Sequence, residues 1–265
     1  MDLDEEIRHL IHLIRLCFLE CFGYRVTCYN CNMLIKWYKG YATLEEHIGL
    51  QCRRKMLIMK LYLSSYRIGR EGDALRKLVT GKKRIGVIRN ALDFSSDTLR
   101  LAEGKKREFE DLRNLGLSPE EIDLRIYFDS NEKLLDKIGE LNALWVTGGN
   151  SFVLLRAMRQ SGFDKILHQV KHNSEFVYAG YSAGITVLAP TLNGIHLVDD
   201  PNIVPRGYPS ECSWDGLNLI PFCFAPHFKS NHPESPAIDK VVEFFIANKI
   251  PFIALHDGDV YILKK

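Results

Sequence analysis

Charge of one sign is what this sequence lacks most plainly. Over 265 residues, 35 Lys and Arg stand against 33 Asp and Glu, a net charge of +2. So small an imbalance gathers no polyanion, and nucleic acid is not expected as a partner. Long apolar runs are missing as well. The stretch from Leu10 to Phe22 is short and interrupted by Arg15, well under the ~20 residues a bilayer requires, so no membrane partner is expected. The first residues include Asp2, Asp4, Glu5 and Glu6, the wrong sign for a secretory leader, and the expected location is the cytoplasm. Cysteine is scarce in most of the chain: five of the seven lie at or before Cys52, leaving only Cys212 and Cys223 beyond. An odd number with that spread argues for reduced thiols and against a disulfide framework. No repeat and no low-complexity segment is visible. Arginine is absent after Arg206, a gap that bears on specificity.

The hydrophobic fraction of 46% is ordinary for a globular protein. The length suits one large domain, or one domain with an appendage. Composition changes near Met56 to Met59, where a regular alternation begins. Strands are predicted at Met59–Ser64, Lys83–Ile88, Ile122–Phe128, Ala143–Val146 and Phe176–Ala179, then at Phe222–Ala225, Phe252–Leu255 and Val260–Leu263. Helices are predicted at Glu71–Val79, Ser96–Leu115, Asn131–Ile138, Ser151–Gln160, onward to about His172, and from about Pro236 to Asn248. Strands alternating with helices imply a three-layer α/β/α sandwich with a mainly parallel sheet, preceded by an N-terminal extension. In such sheets ligands sit beyond the carboxyl ends of the strands.

The richest stretch is Tyr178-Ala179-Gly180-Tyr181-Ser182-Ala183-Gly184. It is a Gly-x-Ser-x-Gly elbow between a strand and a helix, which forces the serine outward as a candidate nucleophile. The free N–H groups at the start of the following helix favour a developing oxyanion. Gly148-Gly149-Asn150 leaves another strand and opens another helix, so Gly149 and Ala183 together would form an oxyanion hole. A serine needs a base. Of nine histidines, His196, His227, His232 and His256 lie downstream of the elbow. His227, in Pro226-His227-Phe228 after an apolar run, should also sit at a strand end. Asp257, Asp199, Asp200 and Asp215 are the candidate carboxylates that would orient it, and each could equally serve its own turn.

Leu144 to Phe152, Gly180 to Gly184 and Ala225 to Phe228 together resemble the aspartyl dipeptidase (dipeptidase E) family of serine peptidases, with cyanophycinases as more distant members. The resemblance runs from about Met59 to the C-terminus. It implies the class I glutamine amidotransferase-like fold, with serine in place of the cysteine of those enzymes. It implies Ser182 as nucleophile, His227 as base and oxyanion donors at Gly149 and Ala183. The acid implied is Asp257, in Ile253-Ala254-Leu255-His256-Asp257-Gly258, with Asp199 or Asp200 as alternative. The expected substrate is a dipeptide or small peptide, cleaved without a cofactor by a monomer or homodimer. The sequence departs from the family where an arginine downstream of the histidine should hold the substrate's N-terminal Asp. Lys229 and Lys240 are the cations in that region, and a lysine is a point charge without a guanidinium's fork.

Other readings stay open on the residues alone. An α/β-hydrolase esterase would use the order Ser182, Asp215, His256. A non-catalytic binding protein on the same fold is the reading from another class. In the first 58 residues, Cys28, Cys31, His47 and Cys52 are spaced near the zinc-finger range. A zinc module is therefore one expectation for residues 1–58, with the catalytic domain at 59–265. A mis-assigned start, with Met59 as the true one, is the other.

Overall fold

The computed structural model describes residues 59–128 and 130–264. The cysteine-rich pattern of Cys28, Cys31, His47 and Cys52 lies outside the described residues. In chain order the elements are β1 (Lys60–Ser64), α1 (Gly72–Leu78), β2 (Arg84–Ile88), α2 (Thr98–Asn114), β3 (Ser118–Glu121), α3 (Asn131–Gly139) and β4 (Ala143–Val146). Then follow α4 (Ser151–Gln160), α5 (Phe163–Val170), β5 (Val177–Tyr181), α6 (Ala183–Thr186), β6 (Cys223–Ala225), α7 (Ser235–Ala247), β7 (Phe252–Ala254) and β8 (Val260–Leu263).

Six strands form the main sheet in the order β3-β2-β4-β5-β1-β8. All pairs are parallel except β8 on β1. A second sheet of two parallel strands joins β6 to β7. The central strands are apolar at almost every position because both faces are covered. On one face Leu61, Leu63, Leu144, Val146 and Tyr178 pack with α4, α5 and α7. On the other Tyr62, Ile85, Val87, Trp145 and Ala179 pack against Leu75 of α1 and Leu112 of α2. The period-two alternation of β1 and β4 thus distributes their side chains between two cores rather than between core and water. Helix α4 has apolar neighbours around most of its circumference, with eight of its residues buried. Asn150 caps it by accepting hydrogen bonds from the N–H groups of Phe152 and Val153, at 2.9 and 3.0 Å.

The mainly parallel sheet flanked by helices matches the architecture expected from the sequence. The third strand does not. The run predicted as a strand, Ile122–Phe128, instead holds a 3₁₀ turn at Leu124–Tyr127, and β3 precedes it. Side chains account for the difference. Asn90 Oδ1 accepts the Leu124 N–H at 3.1 Å, and Asp123 Oδ1 accepts that of Arg125 at 3.0 Å. These bonds divert the donors a sheet ladder would use. The actual strand, Ser-Pro-Glu-Glu, lies at the sheet edge, where proline is tolerated and no apolar pattern announces it. Among the described residues no helix is long and apolar enough to cross a membrane.

Candidate active site

Ser182 stands between β5 and α6 with φ 50° and ψ −119°. A non-glycine residue held at positive φ is strained, and such strain is characteristic of an elbow that projects its side chain from the sheet. The glycines around it answer to close packing. A Cβ on Gly180 or Gly184 would come within 2.5 or 2.2 Å of the Val146 carbonyl oxygen, and one on Gly148 within 3.0 Å of Ser182 Cβ. Gly149, at φ +138°, has room for no side chain either, since a Cβ would meet the Ala91 carbonyl at 2.4 Å. The two turns, one after β4 and one after β5, are therefore pressed together at the carboxyl end of the sheet. Among the described residues no acceptor engages the N–H of Gly149 or of Ala183. Tyr181, beside the nucleophile candidate, is anchored below: its hydroxyl donates to Glu108 Oε1 at 2.7 Å, while Trp145 Nε1 donates to Glu108 Oε2 at 2.8 Å.

His227 follows β6 and Asp257 follows β7, the two strands of the small sheet. His227 Nδ1 lies 2.7 Å from Asp257 Oδ1. The imidazole is buried, and burial pulls its pKa below the ordinary value, against the pull of the Asp257 carboxylate. With Nδ1–H donated to the carboxylate, Nε2 is left as the basic nitrogen. His227 has φ 62°, a second strained backbone at this end of the molecule.

One residue in this arrangement carried no signal in the sequence. Ser65 directly follows β1 and is fully buried. Its Oγ accepts the His227 N–H at 2.8 Å and lies 2.8 Å from Asp257 Oδ1 and 3.2 Å from the Leu255 carbonyl. The hydroxyl thus joins the main sheet to both residues of the small one. Because Ser64 pairs with Tyr181 across β1 and β5, Ser65 and Ser182 leave neighbouring strand ends, and the clamp holds His227 at the end of the sheet that bears Ser182. Ser230 completes it, its Oγ accepting the Asp257 N–H at 2.8 Å. Tyr66 covers the group, its ring lying 5.8 Å from His227 and 6.0 Å from Tyr181 between centroids.

The other carboxylates have different partners. Asp199 Oδ2 accepts the Ser151 N–H at 2.8 Å, capping α4, and burial raises its pKa to about 7. Asp200 Oδ1 takes the Asn202 N–H at 2.9 Å. Asp215 forms a bridge with Thr191, and His256 Nδ1 faces the Asp257 carbonyl at 2.9 Å. The esterase order Ser182, Asp215, His256 is thus not assembled as a histidine–carboxylate pair. Of the two lysines considered for a substrate carboxylate, Lys229 pairs with Asp239 at 3.1 Å, and Lys240 is exposed. Cys212 and Cys223 are free, and burial pushes the Cys223 thiol up to about 12, out of reach of thiolate chemistry.

Comparison with known proteins gives a consistent family. The model of peptidase family S51 matches residues 96–264. The chain is 30% identical over 178 residues to the uncharacterized peptidase Lmo0363 of Listeria monocytogenes, covering 66% of this chain and 80% of that one. It is 30% identical over 142 residues to Peptidase E of Streptomyces coelicolor, covering 52% of this chain and 54% of that one. In fold it is similar to a crystal structure from Listeria monocytogenes, with TM-score 0.60 at 24% identity over 78% of this chain and 95% of the other.

Proposed function

We propose a mechanism for this chain on the premise that it belongs to peptidase family S51 and is a serine peptidase. Ser182 attacks the substrate carbonyl, and His227 Nε2 takes its proton. Asp257 fixes the imidazole tautomer and stabilises the imidazolium. The N–H groups of Gly149 and Ala183 receive the oxyanion of the tetrahedral intermediate. His227 then returns the proton to the leaving amine, and water hydrolyses the acyl-enzyme by the same route. The observation that carries this reading is the 2.7 Å contact between His227 Nδ1 and Asp257 Oδ1, clamped by Ser65 at the end of the sheet that bears the strained Ser182.

The substrates are dipeptides or small peptides, processed in the cytoplasm. The absence of arginine after Arg206, with Lys229 paired to Asp239, leaves the segment downstream of His227 without a fork for a substrate carboxylate. Hydrolysis of a dipeptide library by the purified protein tests this. Turnover of Ala-Xaa and Leu-Xaa comparable to Asp-Xaa is expected. A preference for Asp-Xaa of about a hundredfold or more, some 2.7 kcal/mol, would overturn it. The catalytic unit we assign is 59–265, with 1–58 an appended segment. The chain begun at Met59 should therefore retain peptidase activity, and its failure to fold would place the extension in the core.

A further inference from the structure

Two groups beside His227 take no part in that mechanism. His232 and Glu234 lie on the connection between β6 and α7, which Ser230 pins to the small sheet. The His232 ring stacks on that of His227, with centroids 3.8 Å apart and planes 9° from parallel. Glu234 Oε2 is 3.9 Å from His227 Nε2 and 4.0 Å from His232 Nδ1. One donor atom from each residue falls within 4.8 Å of the other two. Among the described residues Glu234 pairs with these two imidazoles and with no lysine or arginine.

We propose that His227, His232 and Glu234 form a binding site for a borderline divalent cation, zinc above all, whose occupancy reversibly switches the peptidase off. The donor set is two imidazoles and one carboxylate, which zinc accepts with a fourth position left for water. His227 is already prepared as a ligand. Its Nδ1 proton is held by Asp257, so Nε2 presents a lone pair, the carboxylate–histidine arrangement that orients and strengthens zinc ligands. Both imidazoles are disposed to stay neutral, since burial lowers the pKa of each, and a neutral ring is the form that binds metal. Burial first, and the nearby Asp257 carboxylate second, raise the Glu234 pKa, and a divalent charge between Glu234 and His227 would offset both.

The adjustment required falls on the more exposed partners. Bonds of about 2.0–2.1 Å to zinc set donor atoms roughly 3.4 Å apart, so the 3.9 and 4.0 Å separations must contract slightly. Stacked rings cannot both aim their lone pairs at one ion, and His232 Nδ1 accepts the Glu234 N–H at 3.3 Å, so His232 must swing out of the stack and either release that bond or bind through Nε2. His232 and Glu234 have side chains 19% and 44% exposed, against 2% for His227; the first two can move while the third stays clamped.

The inhibition rests on His227 being the base, because the ion would sit on the same Nε2 that receives the serine proton; the site itself does not. The test titrates zinc chloride into the metal-free full-length protein by calorimetry, beside His232→Ala and Glu234→Gln, with circular dichroism to confirm folding. About one equivalent should bind at this site in the parent. Each variant should weaken it by at least the ~10–100-fold that losing even an outer-shell partner costs. Cobalt(II) in place of zinc should give a spectrum of nitrogen and oxygen ligation. Thiolate charge-transfer bands that persist in both variants would mark binding at Cys28, Cys31 and Cys52 instead. Identical isotherms in the parent and both variants would overturn the proposal. Zinc that binds here, is lost in the variants, yet leaves peptide hydrolysis untouched would uphold the site and sink the assignment of His227 as base.

Discussion

The two sheets divide the candidate site between them. The six-stranded sheet carries the serine elbow and the Gly148-Gly149 turn, and its central strands are buried on both faces by helices. The two-stranded sheet carries His227 and Asp257, and each of its strands has three residues. Two strands alone are marginal in water. The small sheet therefore depends on its attachment to the large one, and at the site that attachment is polar: Ser65 on His227 and Asp257, while Ser230 on Asp257 ties the two strand ends of the small sheet to each other. The lesson is that Ser182 is positioned by local backbone strain at the end of the large sheet, whereas His227 is positioned by tertiary hydrogen bonds.

Substitutions on either side sharpen this contrast. The largest effect is expected on the large sheet: Ser182→Ala should lower kcat by roughly 10⁶-fold with the fold intact. Residual activity within about a hundredfold of the parent would break the assignment of the nucleophile. On the small sheet Asp257→Asn keeps the shape but presents the wrong hydrogen-bonding partner to Nδ1, and kcat should fall by about 10⁴-fold. A loss below about tenfold would mean that another group orients His227.

Ser65→Ala tests the bridge itself. It leaves the buried His227 N–H without its acceptor, which should cost about 1–3 kcal/mol in denaturant unfolding. Rates should drop by some tenfold to a hundredfold, or about 1.4–2.7 kcal/mol. The pH profile separates positioning from mere loosening. Because burial depresses the His227 pKa, the base stays neutral to lower pH than a free imidazole, and the acid limb of kcat/KM in the parent should lie below about 6.5. Without the Ser65 hydroxyl, Asp257 is freer to hold the imidazolium, so the limb should move up. A loss of stability with an unmoved limb would reduce Ser65 to a structural contact, and a parent limb above the ordinary histidine value would show that Asp257 outweighs burial.

Much of this molecule was legible before its structure. The alternation of strands and helices announced the parallel sandwich, because strands covered on both faces must be apolar along their whole length, as in Ala143–Val146. The elbow at Ser182 and the Gly148-Gly149-Asn150 turn could be read because their geometry is set by residues adjacent in sequence. The edge strand Ser118–Glu121 could not, since an exposed edge needs no apolar pattern. Nor could Ser65, a small polar residue at the end of a strand whose meaning depends on groups 162 and 192 positions away. The stacking of His232 on His227 and the approach of Glu234 are of the same kind. The sequence by itself determined the layers, the strained serine and the candidate partners, since local sterics and hydrophobic periodicity act over a few residues. Tertiary structure alone decided which carboxylate meets the histidine and what clamps them, since hydrogen bonds between distant segments exist only once the two sheets have packed.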